Sequence, residues 1–397
     1  MEDLRQRLRE LPCGRRLLDA AAATGGVYLV GGAVRDLLLG RAPRELDVVV
    51  EGDVEALAAR LTAGAGAATG AAVGHERFGT ATVRAGDCRW DLAAARAETY
   101  PRPGALPDVR PAGIDEDLRR RDVTVNALAL DLATGELRGV PHAEQDLAAG
   151  RLRVLHDDSF VDDPTRLWRI ARYGARLGFD LEEHTARLAR EAVRTDALGT
   201  VSGARIGNEL RLALSEPDPI AVLEAAAALG LAPWLAPDRA LTERALALLP
   251  PGEGRRDLLV LAAALAAPAD DLLADLQFGA GERAIVRACA AAPALDGAPQ
   301  APSELARALR GLPVEAVALA GARGGGEAAV RRWTGDLRDV VLQITGDDLR
   351  AAGIAEGADL GRRLQAVLDL RLDGALGDDR EAQLAAALAS APGASSS

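Results

Sequence analysis

The chain has 397 residues, enough for two to four domains, and a formal charge of −12 that argues against a broad, sequence-independent nucleic-acid surface. It has no lysine, so every strong positive charge is an arginine, and with 3% aromatic residues its cores must be aliphatic. No apolar run approaches the roughly 18 residues needed to span a bilayer, and Cys13, Cys88 and Cys289 show neither metal nor disulfide spacing, which suits a reducing cytoplasm.

Residues 1–24 read as helix, LRQRLRELP and then RRLLDAAAAT, leading into Val27–Val30, an apolar run with the content of a buried strand. The run breaks at Gly31-Gly32 and turns into AVRDLLLG, where Val34, Leu37 and Leu38 share one helical face and Gly40 ends the helix. A second apolar strand follows, with Glu45 and Asp47 at i and i+2, positions that point the same way on a strand. Consecutive glycines at a helix start let backbone N–H groups approach phosphate, and Arg35 can add a bidentate contact. Two carboxylates on one strand face form the oxygen-rich site that magnesium prefers. A dinucleotide-binding unit fits poorly, because the third glycine is missing and the acids precede the second apolar run.

Val54 to Thr62 has a helical pattern, and the small residues from Gly64 to Gly74 suggest a loop. Phe78–Arg84 and Arg89–Ala93 read as paired strands, with Asp91 on the second as either a third metal carboxylate or a solvated strand acid. Four prolines between Arg96 and Gly113 predict a loop. In DLRRRDVTVNALALD, three arginines and Asp122 abut an apolar strand from Val123 to Leu130. Arg166, Arg169, Arg172 and Arg176 then make a basic stripe along one helix, with Leu167, Ile170 and Leu177 off it and Asp162-Asp163-Pro164 as its cap. His156-Asp157 lacks the downstream ligands a metal phosphohydrolase needs and reads as structural. The remainder is Ala/Leu/Arg-rich helix, in which Arg205 and Glu209 are spaced to pair, and residues 391–397 read as a disordered end.

Taken together, the motifs resemble those of the class II nucleotidyltransferases, the group of tRNA CCA-adding enzymes and bacterial poly(A) polymerases. Gly31, Gly32, Val34, Arg35, Asp36, Leu38, Gly40 and Asp47 match GG-x-V-R-D, L-x-G and D-x-D, with Glu45 in place of the first metal aspartate. Residues 120–127 are similar to R-R-D-F-T-I-N-A, with Val123 and Val125 for Phe and Ile. Residues 162–166 resemble E-D-x-x-R, with Asp162 for the Glu. Ser202–Leu214 resembles the family's neck, and Thr345–Gly374 resembles its tRNA-facing tail.

The resemblance implies an α/β (α+β) nucleotidyltransferase head with a small mixed sheet over 1–150. All-α neck, body and tail would follow over 151–235, 236–330 and 331–397. It implies that Glu45 and Asp47, with Asp91, hold Mg2+. Gly31, Gly32, Arg35, Arg120, Arg121, Arg169 and Arg172 would face the triphosphate. Asp122 would select the ribose and Asn126 would orient the loop. Asp162, Asp163 and Arg166 would read the base, an aspartate accepting from an exocyclic amine and an arginine donating to ring acceptors. The implied activity is template-independent addition of CMP and/or AMP from CTP and ATP to the tRNA 3′ end in the cytoplasm, without DNA or membrane. A CC- or A-adding specialist and a poly(A) polymerase share these motifs, and Glu45 leaves room for an inactive RNA-binding relative.

Overall fold

The computed structural model describes residues 4–63, 70–75, 79–295 and 301–389. The chain clusters into two compact units, Met1–Pro233 and Trp234–Ser397.

The first unit is built on a seven-stranded mixed sheet in the order β3-β4-β5-β2-β1-β8-β9. Before it come α1 (Leu4–Glu10) and α2 (Pro12–Ala22), two helices where the sequence suggested one stretch, because Pro12 opens a new helix at a position that needs no N–H. Strand β1 (Val27–Val30) is buried along its whole length, as its unbroken apolar run requires. The chain then turns through α3 (Gly32–Leu38) into β2 (Asp47–Val50), antiparallel to β1, and α4 (Val54–Thr62), whose first N–H groups bond the Asp53 side chain. Strands β3 (Gly70–His75), β4 (Thr80–Ala85) and β5 (Cys88–Ala94) form a meander, and β5 runs parallel to β2 so that Asp91 lies beside Asp47.

Four expectations need correction here. The Gly64–Gly74 loop is partly β3, an edge strand whose alanines and glycines show no alternation because it pairs through its backbone; residues 64–69 lie outside those described. The proline-rich 96–113 segment forms a two-stranded ribbon, β6 (Arg96–Thr99) and β7 (Asp108–Pro111), with Pro101, Pro103 and Pro107 between the strands. The strand expected over 123–130 is a 3-10 turn, Thr124–Asn126, and then β8 (Leu128–Asp131), since the Thr124 N–H is given to Arg153 O and the Asn126 N–H turns back to Val123 O instead of entering the ladder. Cys13 and Cys88 are joined in a disulfide, with Cα atoms 5.4 Å apart at a sequence separation of 75, because the turn into β5 meets the start of α2. Spacing along the chain could not reveal that pair. Residues 391–397 lie outside the described part.

Tyr28, Val30, Val49, Ala95 and Ala129 on one sheet face pack against Ile114 and Leu118 of α5 (Ile114–Arg119). After β9 (Leu137–Gly139), α6 (Ala143–Ala149), β10 (Arg151–Leu152) and α7 (Ser159–Asp162) comes α8 (Arg166–Leu177), with Leu167, Trp168, Ile170, Ala171 and Tyr173 buried. The short strand β11 (Asp180–Leu181) precedes α9 (Glu183–Arg194), α10 (Gly203–Leu214) and α11 (Pro219–Ala228), which complete this unit. The second unit contains only helices among its described elements. In it, Gly346–Ala351, Ala358–Leu372 and Arg380–Ala389 enclose Leu349, Val367 and Ala387. Gly353 and Gly357, at φ +93° and +152°, make the turn between the first two of these, a backbone that side chains resist. Among the described residues no helix is long and apolar enough to cross a membrane.

Candidate active site

Glu45, Asp47 and Asp91 converge, each offering a carboxylate oxygen within 4.8 Å of the others. Asp47 opens β2 and Asp91 sits beside it on β5. Glu45 is not on the strand but in the bend ahead of it, and its longer side chain reaches back to the shared point. Thr82 Oγ1 donates to Asp91 at 2.6 Å and Arg89 pairs with it at 2.9 Å, which fixes the third carboxylate. Burial, then the charges of Glu45 and Asp91, push the Asp47 carboxyl up to about 6, against the pull of Arg121 and Arg89. Three hard oxygen donors that repel one another are suited to a divalent cation such as magnesium, which would relieve that repulsion.

Beside the acids opens a cavity of about 650 Å³ lined by Gly31, Gly32, Asp47 and arginines from α3, the β6/β7 ribbon, the end of α5 and α8. Gly31 has φ +67°, and a Cβ there would lie 2.8 Å from Arg121 Nη1, so glycine is required both by the turn into α3 and by close approach. Its N–H is already given to Leu128 O, which leaves Gly32 as the diglycine donor facing the cavity. Arg35, expected to point at phosphate, is instead buried, with Nε and Nη2 on Asp36 Oδ1 and Nη1 on Asn126 Oδ1.

The acid that organises this wall is Asp122. Its Oδ1 accepts from the Val123 N–H and Asn126 Nδ2, and its Oδ2 from Arg169 Nε at 2.7 Å and Tyr173 Oη at 2.9 Å. Burial alone would raise its carboxyl, but Arg169, with Asn126 and Tyr173, holds it well below the usual range. Burial also pushes the Tyr173 hydroxyl up to about 12, so it stays a donor. Arg120 and Arg121 are held by the fully buried Asp117, and Arg120 also by Glu98.

The Asp162–Arg166 motif splits. Asp163 Oδ1 accepts from Thr165 N, Thr165 Oγ1 and Arg205 Nη2, while among the described residues its Oδ2 accepts no hydrogen bond. Arg166 lines the cavity but is buried, giving its guanidinium to Ser159 Oγ, Arg120 O and Tyr100 Oη. Asp162 ends α7, does not line the cavity, and lies 3.9 Å from His156. Of the Asp162-Asp163-Pro164 segment expected to cap α8, Asp163 accepts from Thr165 N and Oγ1 just ahead of the helix, whereas among the described residues Asp162 makes no such contact, and Thr165 at the N-cap offers the helix no side-chain bond. Nor do Arg205 and Glu209 pair. Arg205 reaches Asp163 and Gly104 O, whereas Glu209 lies 3.7 Å from both Arg169 and Arg172. His156 and Asp157 have separate partners, Asp157 holding His184 at 2.6 Å, in keeping with a structural role.

Sequence reasoning missed Asp117, Glu98, Tyr173, Arg44 and Glu216. Asp117 was detectable, three and four residues ahead of Arg120 and Arg121 on a helix. Glu216 had no local signal.

Residues 27–153 match the family model described as the poly(A) polymerase head domain. An A-adding tRNA nucleotidyltransferase of Halalkalibacterium halodurans is 42% identical over 207 residues, 51% of this chain and 48% of that protein. A CC-adding tRNA nucleotidyltransferase of Deinococcus radiodurans is 38% identical over 379 residues, 92% of this chain and 90% of that protein. Among solved structures, the Thermotoga maritima CCA-adding enzyme complexed with tRNA is 28% identical, with a TM-score of 0.74 over 98% of both chains. The chain spans half the length or less of the A-adding relatives it matches.

Proposed function

Because the chain belongs to the tRNA nucleotidyltransferase and poly(A) polymerase family, we propose that it transfers CMP, AMP or both from CTP and ATP to the 3′ end of tRNA without a nucleic-acid template. The observation that carries this reading is the convergence of Glu45, Asp47 and Asp91 at the edge of an arginine-lined cavity. Mg2+ is the metal we assign to the three carboxylates; bound there it supplies the charge that acidifies the attacking 3′-hydroxyl and offsets the departing pyrophosphate. A cytoplasmic location goes with that substrate, and neither DNA nor a membrane enters the reading.

The chain's own residues divide the remaining work. Asp47 must lose its proton before it can act as a ligand, so its raised carboxyl ties metal loading to pH. Gly32, Arg121, Arg169 and Arg172 face the space for the triphosphate, and the three arginines are held in position by Asp117, Asp122 and Glu209 rather than left free. Arg35 and Asn126 act from behind, holding the diglycine turn and Asp122 in register. Asp122 has its oxygens filled from within, so we assign it the orientation of Arg169 and Asn126 rather than a ribose contact. Asp163 keeps one open oxygen for an exocyclic amine, and Arg166 steadies that wall. The helical second unit, above all Gly346–Leu372, we assign to holding tRNA.

The activity is tested by offering α-labelled CTP and ATP with a tRNA transcript lacking CCA. Label should move to tRNA in magnesium, and Asp47→Asn should abolish it. Tight tRNA binding without transfer, restored by Glu45→Asp, would replace the reading with an inactive binding protein.

A further inference from the structure

One buried acid of the cavity plays no part in the assignments above. Glu216 follows α10 in the turn toward α11, and its side chain is 4% exposed. Three arginines from two other segments close on its carboxylate. Arg44, in the loop before β2, donates to Oε2 at 3.0 Å. Arg172 donates to Oε1 at 3.2 Å, and Arg176 lies 3.6 Å from the same oxygen. All four residues line the cavity. Of the other charges facing this group, Asp36 is 3.9 Å from Arg176, Glu209 is 3.7 Å from Arg172, and Glu45 follows Arg44 in the chain. Burial and the neighbouring Arg35 lower the Arg176 guanidinium from its ordinary value, the direction expected where positive charge is crowded.

Three guanidiniums around one carboxylate are more than an ion pair needs. All three line the arginine-rich cavity, and a phosphate oxygen accepts from arginine in the same bidentate way as a carboxylate. We propose that Glu216 is an internal stand-in for the nucleotide's phosphates: it holds Arg44, Arg172 and Arg176 in the free protein and must yield them to an incoming polyphosphate. The proposal rests on the nucleotidyltransferase reading for its ligand class. Its consequence is selectivity. A monophosphate competes poorly against a carboxylate already surrounded by three arginines, whereas a triphosphate or pyrophosphate brings enough charge to take them over. The carboxylate left behind then repels the product, which keeps pyrophosphate from holding the site.

The alternative role for Glu216 is a structural one, in which its charge holds the arginines in place for the ligand. The two roles predict opposite signs. The test is calorimetric titration of the full-length chain with inorganic phosphate, pyrophosphate and tripolyphosphate, without tRNA and without turnover, for wild type, Glu216→Gln and Glu216→Asp. The stand-in role predicts that Glu216→Gln binds tripolyphosphate and pyrophosphate about tenfold tighter, since a like charge facing the ligand has been removed. Inorganic phosphate should gain more than tripolyphosphate, narrowing the preference, and Glu216→Asp should stay near wild type. With a transferable nucleotide the KM of Glu216→Gln should fall while kcat does not rise. Equal or weaker polyphosphate binding by a folded Glu216→Gln overturns the proposal.

Hydrogen exchange on the wild-type protein gives a second measure that needs no variant. The amides of Ser215, Glu216 and Asp218 should exchange faster once tripolyphosphate is bound, and unchanged or slower exchange overturns the proposal. Because these readouts involve no chemistry, a failed transfer assay counts against the enzyme reading alone.

Discussion

Replacing Asp47 by asparagine should stabilise the metal-free protein. The carboxyl is raised from 3.8 to about 6 by burial and by two neighbouring acids, so its ionised form is penalised in the fold. At about 1.4 kcal/mol for each pH unit, ionised Asp47 costs roughly 3 kcal/mol at neutral pH. The sign follows from proton counts. Between 3.8 and about 6 the folded state binds more protons than the unfolded one, so the penalty is absent below 3.8 and complete above about 6. The asparagine has no such penalty. Denaturant melts of both proteins in chelator should differ in favour of Asp47→Asn at pH 7.5, and the gap should close as pH falls toward 4. Adding Mg2+ should reverse the order, stabilising the wild type alone. A destabilised Asp47→Asn, or a gap independent of pH, would refute the picture of three carboxylates held in mutual repulsion.

Other variants probe the wall around the acids. Arg169→Ala removes the main partner of buried Asp122 and should cost about 3–5 kcal/mol in neutral-pH melts. Asp122→Asn should lose stability at pH 7 and show a shallower decline than wild type below pH 3.8, because the wild-type carboxylate gives up its stabilising contacts as it protonates. Gly31→Ala places a Cβ at φ +67° against Arg121 and should cost about 1–3 kcal/mol, read as a fall in melting temperature. Arg205→Ala frees Asp163 from its anchor, and kinetics with CTP and ATP offered separately should show a raised KM with the fold intact.

Where local pattern and tertiary need agreed, the sequence could be read directly. The strand, diglycine turn and helix from Val27 to Leu38 form because an apolar run, a residue tolerant of φ +67° and a helical stripe all demand the same path. The mixed-sheet head, the helical remainder and the gathering of Asp47 with Glu45 and Asp91 followed from motifs within that frame. What could not be read was set by partners distant in sequence. Arg35 and Arg166 look like free phosphate or base donors until Asn126, Asp36, Ser159 and the Arg120 carbonyl are found around them. Asp162 and Asp163 are adjacent in sequence yet separate in space, one toward His156 and the other toward Arg205. The Cys13–Cys88 bond, the Glu216 cluster and the β6/β7 ribbon all depend on contacts that no residue spacing encodes.

The central claim is nucleotide addition to the 3′ end of tRNA. Three transcripts of one tRNA, ending before CCA, after one C and after CC, would be incubated with the full-length chain and Mg2+. CTP and ATP would be supplied separately and together, with products resolved at single-nucleotide length. The account predicts extension by one or two C residues, by A, or by both, stopping no later than a complete CCA and lost in Asp47→Asn. Long A tails on RNA of any kind, or no extension of any transcript, would contradict it.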